Sequence, residues 1–269
     1  MIRFVKAHAC GNDFLIVDKG SIPLTDQCRV AVQLCARNTG VGADGVEYLE
    51  WTGERSGRIR LSNADGSIAE ISGNGTRCVA AWMAHEKQAV AGDILAIETD
   101  AGLRDCRIVS FDGHRFEIAT GMGVPVVAAS SVTLANGIEI EGALVSMGNP
   151  HFVIFVKDGS FSVAGLAWEE IGREICFHAD FPRQTNVEFV FVIDSGQIEM
   201  RIFERGVGPT TSSGTGTCAS AAASIALRGF SPDLLVKAPG GFQRVHWNGA
   251  PAEMTLTGPA ELIAIGEAF

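Results

Sequence analysis

Short apolar runs separated by Gly, Asn, Asp and Pro dominate the chain, and this pattern predicts a mostly β protein. Phe14 to Asp18, Ile94 to Glu98, Phe152 to Val156, Val187 to Ile193 and Gln197 to Phe203 read as strands. Two stretches break the rhythm. Cys78 to Lys87 (CVAAWMAHEK) and Cys218 to Arg228 (CASAAASIALR) are rich in Ala and other helix formers, and each follows a glycine-rich turn, so both are expected to be helices. Further helices are expected at Thr25 to Arg37 and Trp168 to Ile175.

The two Ala-rich helices belong to an internal repeat. SGNGTRCVAA, from Ser72, and SGTGTCASAA, from Ser213, share the order Ser-Gly-x-Gly followed by a Cys-containing helix, about half the chain length apart. Solenoid repeats recur every ~20 to 50 residues; a half-chain interval suggests two similar domains, each bringing one helix entrance to a shared cleft. A chance pairing of two glycine turns is the simpler alternative, since G-x-G alone is a weak signal.

Composition narrows the function classes. With 269 residues, 46% hydrophobic and 19% charged, the chain can bury real cores. A formal net charge of -10 repels a phosphate backbone and argues against nucleic acid as a partner. The start, MIRFVKAHACGNDF, has no basic region followed by an apolar run, and no stretch approaches the ~18 to 20 apolar residues that cross a bilayer; a cytoplasmic protein is expected, without a membrane partner. The 7 cysteines include no C-x-x-C pair and the 6 histidines no H-E-x-x-H, so nothing suggests a disulfide framework or a metal site.

The first N–H groups of a helix lack intrahelical acceptors and, with the helix dipole, form an anion site. If both entrances face one cleft, a carboxylate is gripped from two sides, with Ser72 and Ser213 near opposite faces of the carbon that bears it. Removing the proton beside a carboxylate builds charge on its oxygens, which preorganised N–H donors stabilise most in the transition state. Asn12, Asn63, Asp65, Asn149 and Asn186 stand in loops that could line such a cleft, although turn chemistry alone accounts for each of them singly. Glu204-Arg205 follows the alternating stretch IEMRIF; the guanidinium suits a carboxylate and the Glu an ammonium, with a surface ion pair as the alternative.

At this point the chain resembles the diaminopimelate epimerase family. The resemblance runs in order through FVKAHACGNDF, GVGADG, NADGSIAE, SGNGTRC, GNPH, TNVEF, ERGVGPT and SGTGTC, about nine tenths of the sequence. It implies an α+β fold of two similar domains, each a mostly antiparallel β-barrel-like sheet wrapped around a central helix, with residues 1–121 and 122–269 as the domains and a return of the last strand, about 259–269, to the first domain left open. It also implies interconversion of LL- and meso-diaminopimelate without a cofactor or metal, in lysine and peptidoglycan precursor synthesis, and leaves room for a homodimer. Carried over by position, Asn12, Asn63, Asn149 and Asn186 bind substrate, Arg205 meets its distal carboxylate and Glu204 holds the ammonium on the reacting centre. The backbones of Gly73-Asn74 and Gly214-Thr215 grip the reacting carboxylate.

One departure bears on the chemistry. The family carries a catalytic cysteine before each glycine turn; here those residues are Ser72 and Ser213, and Cys78 and Cys218 lie inside the helices. Ala9 replaces a usual glycine, and Gly45 stands where some members place glutamine. A thiol ionises near ~8.5, a serine hydroxyl several pKa units higher, so serine needs a separate base. No histidine or lysine motif supplies one. The readings that follow are an epimerase with serine at both positions, a related amino- or imino-acid isomerase or dehydratase, and a non-catalytic protein that binds a diaminopimelate-like ligand.

Overall fold

The computed structural model describes all residues, Met1–Phe269, which form two compact units: Met1–Thr120 with Thr257–Phe269, and Gly121–Leu256. The fold is α+β, strand-rich and barrel-like, with few helices. No helix is long and apolar enough to cross a membrane.

Unit 1 contains β1 (Ile2–Ala9), β2 (Asn12–Asp18), α1 (Gln27–Cys35), β3 (Gly45–Gly53), β4 (Ser56–Asn63), β5 (Ile68–Ala69), α2 (Gly73–Glu86), β6 (Ile94–Thr99), β7 (Gly102–Asp112) and β8 (Arg115–Gly121). Cys10 and Gly11 form a two-residue hairpin loop between β1 and β2, both at positive φ (52° and 80°), a turn that suits the strand twist. It delivers Asn12 to the first position of β2. Strand β2 then runs parallel to β3, β3 antiparallel to β4, β4 parallel to β6, and β6, β7 and β8 follow as antiparallel neighbours. The C-terminal strand (Thr255–Ala268) pairs with both β8 and β1, which closes the ring.

Helix α2 fills this barrel. Cys78, Val79, Ala80, Ala81, Met83 and Ala84 are all at most 1% exposed and meet Val5, Ile16, Leu61, Leu95, Ile97 and Ile118 from the wall. A helix apolar around its circumference belongs in a core, and the small residues suit a narrow barrel interior. On the outside, α1 covers a second cluster with Leu15, Val17, Val46 and Tyr48.

Unit 2 repeats the plan. It contains β9 (Val126–Thr133), β10 (Glu139–Ser146), β11 (Pro150–Val156), α3 (Trp168–Cys176), β12 (Asn186–Asp194), β13 (Gln197–Glu204), β14 (Gly208–Thr210), α4 (Gly214–Arg228), β15 (Asp233–Ala238) and β16 (Gly241–His246). Strand β11 is parallel to β12, β12 antiparallel to β13 and β13 parallel to β15, matching β2, β3, β4 and β6. Helix α4 is the central helix, with Ala219, Ala221, Ala222 and Ala223 at 0% exposure, and α3 covers the outer cluster.

Both central helices begin about a turn earlier than the Ala-rich pattern predicts, at Gly73 and Gly214 instead of Cys78 and Cys218. Two glycines cost roughly 1 kcal/mol each in a helix, so propensity places the turn outside it. Serine caps and burial of the first turn outweigh that cost. Helix α4 ends on Gly229 in the left-handed conformation (φ 67°), the usual C-terminal stop.

Candidate functional site

Ser72 and Ser213 are the N-cap residues of α2 and α4. Each has extended backbone, and its Oγ accepts a hydrogen bond from the N–H of the second glycine, Gly75 at 3.1 Å and Gly216 at 3.2 Å. Each hydroxyl proton is thereby left to point elsewhere. The helices offer no acceptor to the N–H groups of Gly73 and Asn74, or of Gly214 and Thr215, and the dipole adds positive potential there.

In unit 1 a chain of polar contacts fixes the first turn of α2. Fully buried Arg77 donates from Nη2 to Asn74 Oδ1 (2.5 Å), Asn74 Nδ2 donates to Asn12 Oδ1 (3.2 Å), and Asn12 Nδ2 donates to Asp44 Oδ2 (2.6 Å). Arg37 then bridges Asp44 (2.7 Å) and Asp13 (2.8 Å), and Lys6 reaches Asp13 at 3.0 Å. Burial pushes the Asp13 carboxyl up, but hydrogen bonds from Arg37 and Lys6 outweigh it and hold it below the usual carboxylate range. The sequence pattern separates Asn12 from Asn74; the hairpin and the helix cap bring them together.

Unit 2 builds the corresponding chain from different residues. Asn149 Nδ2 donates to Thr215 Oγ1 (3.3 Å), which turns Asn149 Oδ1 toward His151 Nε2 (3.0 Å), and His151 Nδ1 lies 2.6 Å from Glu188 Oε1. With the amide in this orientation, Nε2 donates to Asn149 and Nδ1 is hydrogen-bonded to the carboxyl. Both side chains are fully buried. Desolvation pushes the Glu188 carboxyl up, and the His151 ring opposes it.

The other expected residues have structural partners of their own. Asn186 Oδ1 accepts from the backbone N–H of Arg205 (2.8 Å), clamping the turn after β13. Glu204 Oε2 accepts from Thr210 Oγ1 (3.2 Å), while exposed Arg205 donates from Nη1 to the Arg183 carbonyl (3.3 Å). Asn63 Nδ2 donates to Ser67 Oγ (2.9 Å) inside the β4–β5 turn, where Asp65 accepts from the Ser67 backbone.

Strand register reveals further residues that the motif search passes over. Gly45 and Asn186 open β3 and β12, and Glu47 and Glu188 are the third residues; they lie opposite Phe14 and Ile16 in unit 1, and His151 and Val153 in unit 2. Phe14 therefore stands where unit 2 has His151. Glu47 is 0% exposed, and neither of its carboxyl oxygens has a hydrogen-bond partner. Desolvation, aided by Asp100, pushes its carboxyl up to about 8. The sequence did carry a signal: Val46-Glu47 and Val187-Glu188 sit at the same offset before the two Ser-Gly-x-Gly turns.

Comparison with known proteins agrees with the duplicated architecture. The diaminopimelate epimerase family model matches residues 4–127 and 143–263. A diaminopimelate epimerase of Gloeothece citriformis is 35% identical over 98% of both chains, and one of Halothermothrix orenii is 36% identical over 99% of this chain and 97% of its own. Among solved structures, a phenazine biosynthesis protein of the PhzF family from Bacillus anthracis superposes with a TM-score of 0.76 at 17% identity, covering 100% of this chain and 99% of its own. A hydroxyproline epimerase from Agrobacterium vitis does so with a TM-score of 0.71 at 18% identity, covering 98% and 91%; at such identities the likeness is one of fold. The family model and the full-length relatives agree, and the chain belongs to the diaminopimelate epimerase family.

Proposed function

We propose that this isomerase interconverts LL- and meso-diaminopimelate without a cofactor, with Ser72 and Ser213 at the two proton-transfer positions. The observation that carries the reading is the duplicated serine-capped helix entrance, each with its first-turn side chain (Asn74 or Thr215) hydrogen-bonded to an asparagine, Asn12 or Asn149. Such an entrance presents oriented N–H donors to a carboxylate. In this reading the N–H groups of Gly73-Asn74 and Gly214-Thr215 hold the reacting carboxylate, and the two serines face opposite sides of its α-carbon. Asn12, Asn63, Asn149 and Asn186 bind the substrate, Glu204 holds the ammonium at the reacting carbon and Arg205 the distal carboxylate.

Incubation with LL-diaminopimelate in deuterium oxide tests this. Deuterium at the α-carbon and appearance of the meso isomer in the unaltered protein are expected. Ser72→Cys with Ser213→Cys should raise both rates, since a thiol near ~8.5 gives up its proton far more readily than a hydroxyl. Failure of both the serine protein and the double variant to bind or exchange LL-diaminopimelate would refute the substrate; silence of the serine protein with an active double variant would mark a disabled or degenerate epimerase.

A further inference from the structure

The serines lack an obvious base, and the buried acid under the first of them answers that lack. We propose that Glu47 is the proton acceptor behind Ser72, so that a carboxyl and a hydroxyl together occupy the role of a single thiol. This rests on the function proposed above.

The geometry comes from one place in unit 1. A Cβ built on Gly75 would overlap Glu47 Oε1 and lie 3.3 Å from Ser72 Cβ, so the carboxyl and the serine flank the same point at the helix entrance. Glycine is required there because only a missing side chain lets the carboxyl approach the helix backbone so closely. Since Gly75 N–H occupies the acceptor side of Ser72 Oγ, the Ser72 proton is available for donation.

Unit 2 shows what the alternative looks like. At the equivalent place, a Cβ on Gly216 would lie 3.0 Å from Glu188 Oε1 and 3.3 Å from Ser213 Cβ. There His151 takes one carboxyl oxygen, whereas Phe14 leaves Glu47 without a cation. A purely structural buried acid is expected to be paired; two orphaned oxygens in a site free of other obligations suggest a group kept for proton traffic.

The surroundings set when it can act. Its strand neighbours, Ile16 of β2 and Leu61 of β4, are apolar. Of the titratable groups, Asp100 after β6 pushes the Glu47 carboxyl up, and Cys78 of α2, itself pushed up chiefly by burial, stays a neutral thiol. An acid whose value, about 8, lies near neutrality exchanges protons in both directions.

The step balances without any co-reactant. The substrate Cα–H bond breaks, its electron pair stays on carbon and spreads into the adjacent carboxylate, Ser72 Oγ takes the proton, and the Ser72 hydroxyl proton passes to a Glu47 oxygen. The reverse transfers return both protons.

Two measurements test this. First, α-deuterium exchange is followed in a cycle of Glu47→Gln and Ser72→Cys. Glu47→Gln should lower exchange by about 100-fold or more when residue 72 is serine and within about threefold when it is cysteine, because a thiolate needs no second base; equal losses in both backgrounds would mark Glu47 as merely structural and overturn the proposal. With serine the rate should also rise about tenfold per pH unit up to about pH 8 and then level off. Second, the infrared band of the protonated Glu47 carboxyl, assigned by its absence in Glu47→Gln, is titrated with and without Ser72→Ala. A displaced midpoint supports the coupling of the two groups; an unmoved one overturns it. Absence of exchange in every variant, with the infrared coupling intact, would defeat the diaminopimelate reading and leave the Glu47–Ser72 pair standing.

Discussion

Replacing Glu47 by glutamine should remove a pH dependence of stability that the natural chain carries. An unfolded glutamate ionises near 4.5, whereas the folded carboxyl ionises at about 8. Below that interval both states hold the proton and the group is neutral to folding. Inside it the unfolded chain releases a proton that the folded chain must keep, so stability falls as pH rises, by about 1.4 kcal/mol for each pH unit. Across the whole interval the loss is on the order of 5 kcal/mol, a large share of the roughly 5–15 kcal/mol that keeps a typical domain folded. The α2 dipole offsets only ~1 kcal/mol of it, because neither carboxyl oxygen receives a hydrogen bond. Glutamine has nearly the same shape and no charge to release. Native-state hydrogen exchange of the α2 amides, in urea at about pH 5 and about pH 8, reads the opening of unit 1 alone. The Glu47→Gln protein should equal or trail the natural chain at the lower pH and exceed it by ~2–4 kcal/mol at the higher. Parallel pH dependences in the two proteins would refute the account, since they would mean that Glu47 keeps its charge in the folded state.

Gly75→Ala should cost ~2–4 kcal/mol in thermal or urea melts, because its methyl group meets Glu47 Oε1, and Glu47→Ala in the same chain should restore more than half of the loss. Ser72→Ala or Ser213→Ala should each cost ~1 kcal/mol in the same melts by removing the cap on Gly75 or Gly216, with Thr in place of Ser recovering most of it. His151→Phe copies the unit 1 arrangement over Glu188 and should lower stability by ~2 kcal/mol or more at pH 8, less at pH 5, since the buried carboxyl loses its hydrogen-bonded imidazole partner.

Much of the scaffold was readable because it rests on local signals. Ala-rich runs marked both central helices, and the recurring Ser-Gly-x-Gly marked their entrances as comparable. The signals failed where tertiary context overrides propensity. The first turns of α2 and α4 look like loops because glycine disfavours helix, yet Ser72, Ser213 and the burial of Asn74, Thr76, Arg77 and Thr217 hold them helical. The contact between Asn12 and Asn74, and the hold of Asn186 on the Arg205 backbone, depend on strand register, which single-strand patterns do not contain. Glu47 was hidden differently: the sequence reading places no strand over Gly45 to Glu50, and only the barrel wall around it turns the acid inward.

The residues that distinguish the two halves bear on the proton transfer proposed above. Epimerisation requires that one face take a proton while the other gives one, so two identical groups in identical settings would compete for the same protonation state. Duplication supplies equivalent positions, and substitution within them separates their chemistry. Phe14 leaves the Glu47 carboxyl alone in an apolar wall, whereas His151 is hydrogen-bonded to Glu188 and connects through Asn149 to the first turn of α4. Gly45 corresponds to Asn186 in the same comparison, and Asn63 ends β4 where Glu204 ends β13. One half thus holds a carboxyl with no cation beside it, and the other a carboxyl hydrogen-bonded to an imidazole. If the serines act on opposite faces of one carbon, the two directions of the reaction start from opposite protonation states of these groups, and the Glu47 carboxyl takes a proton only in the molecules in which it is ionised.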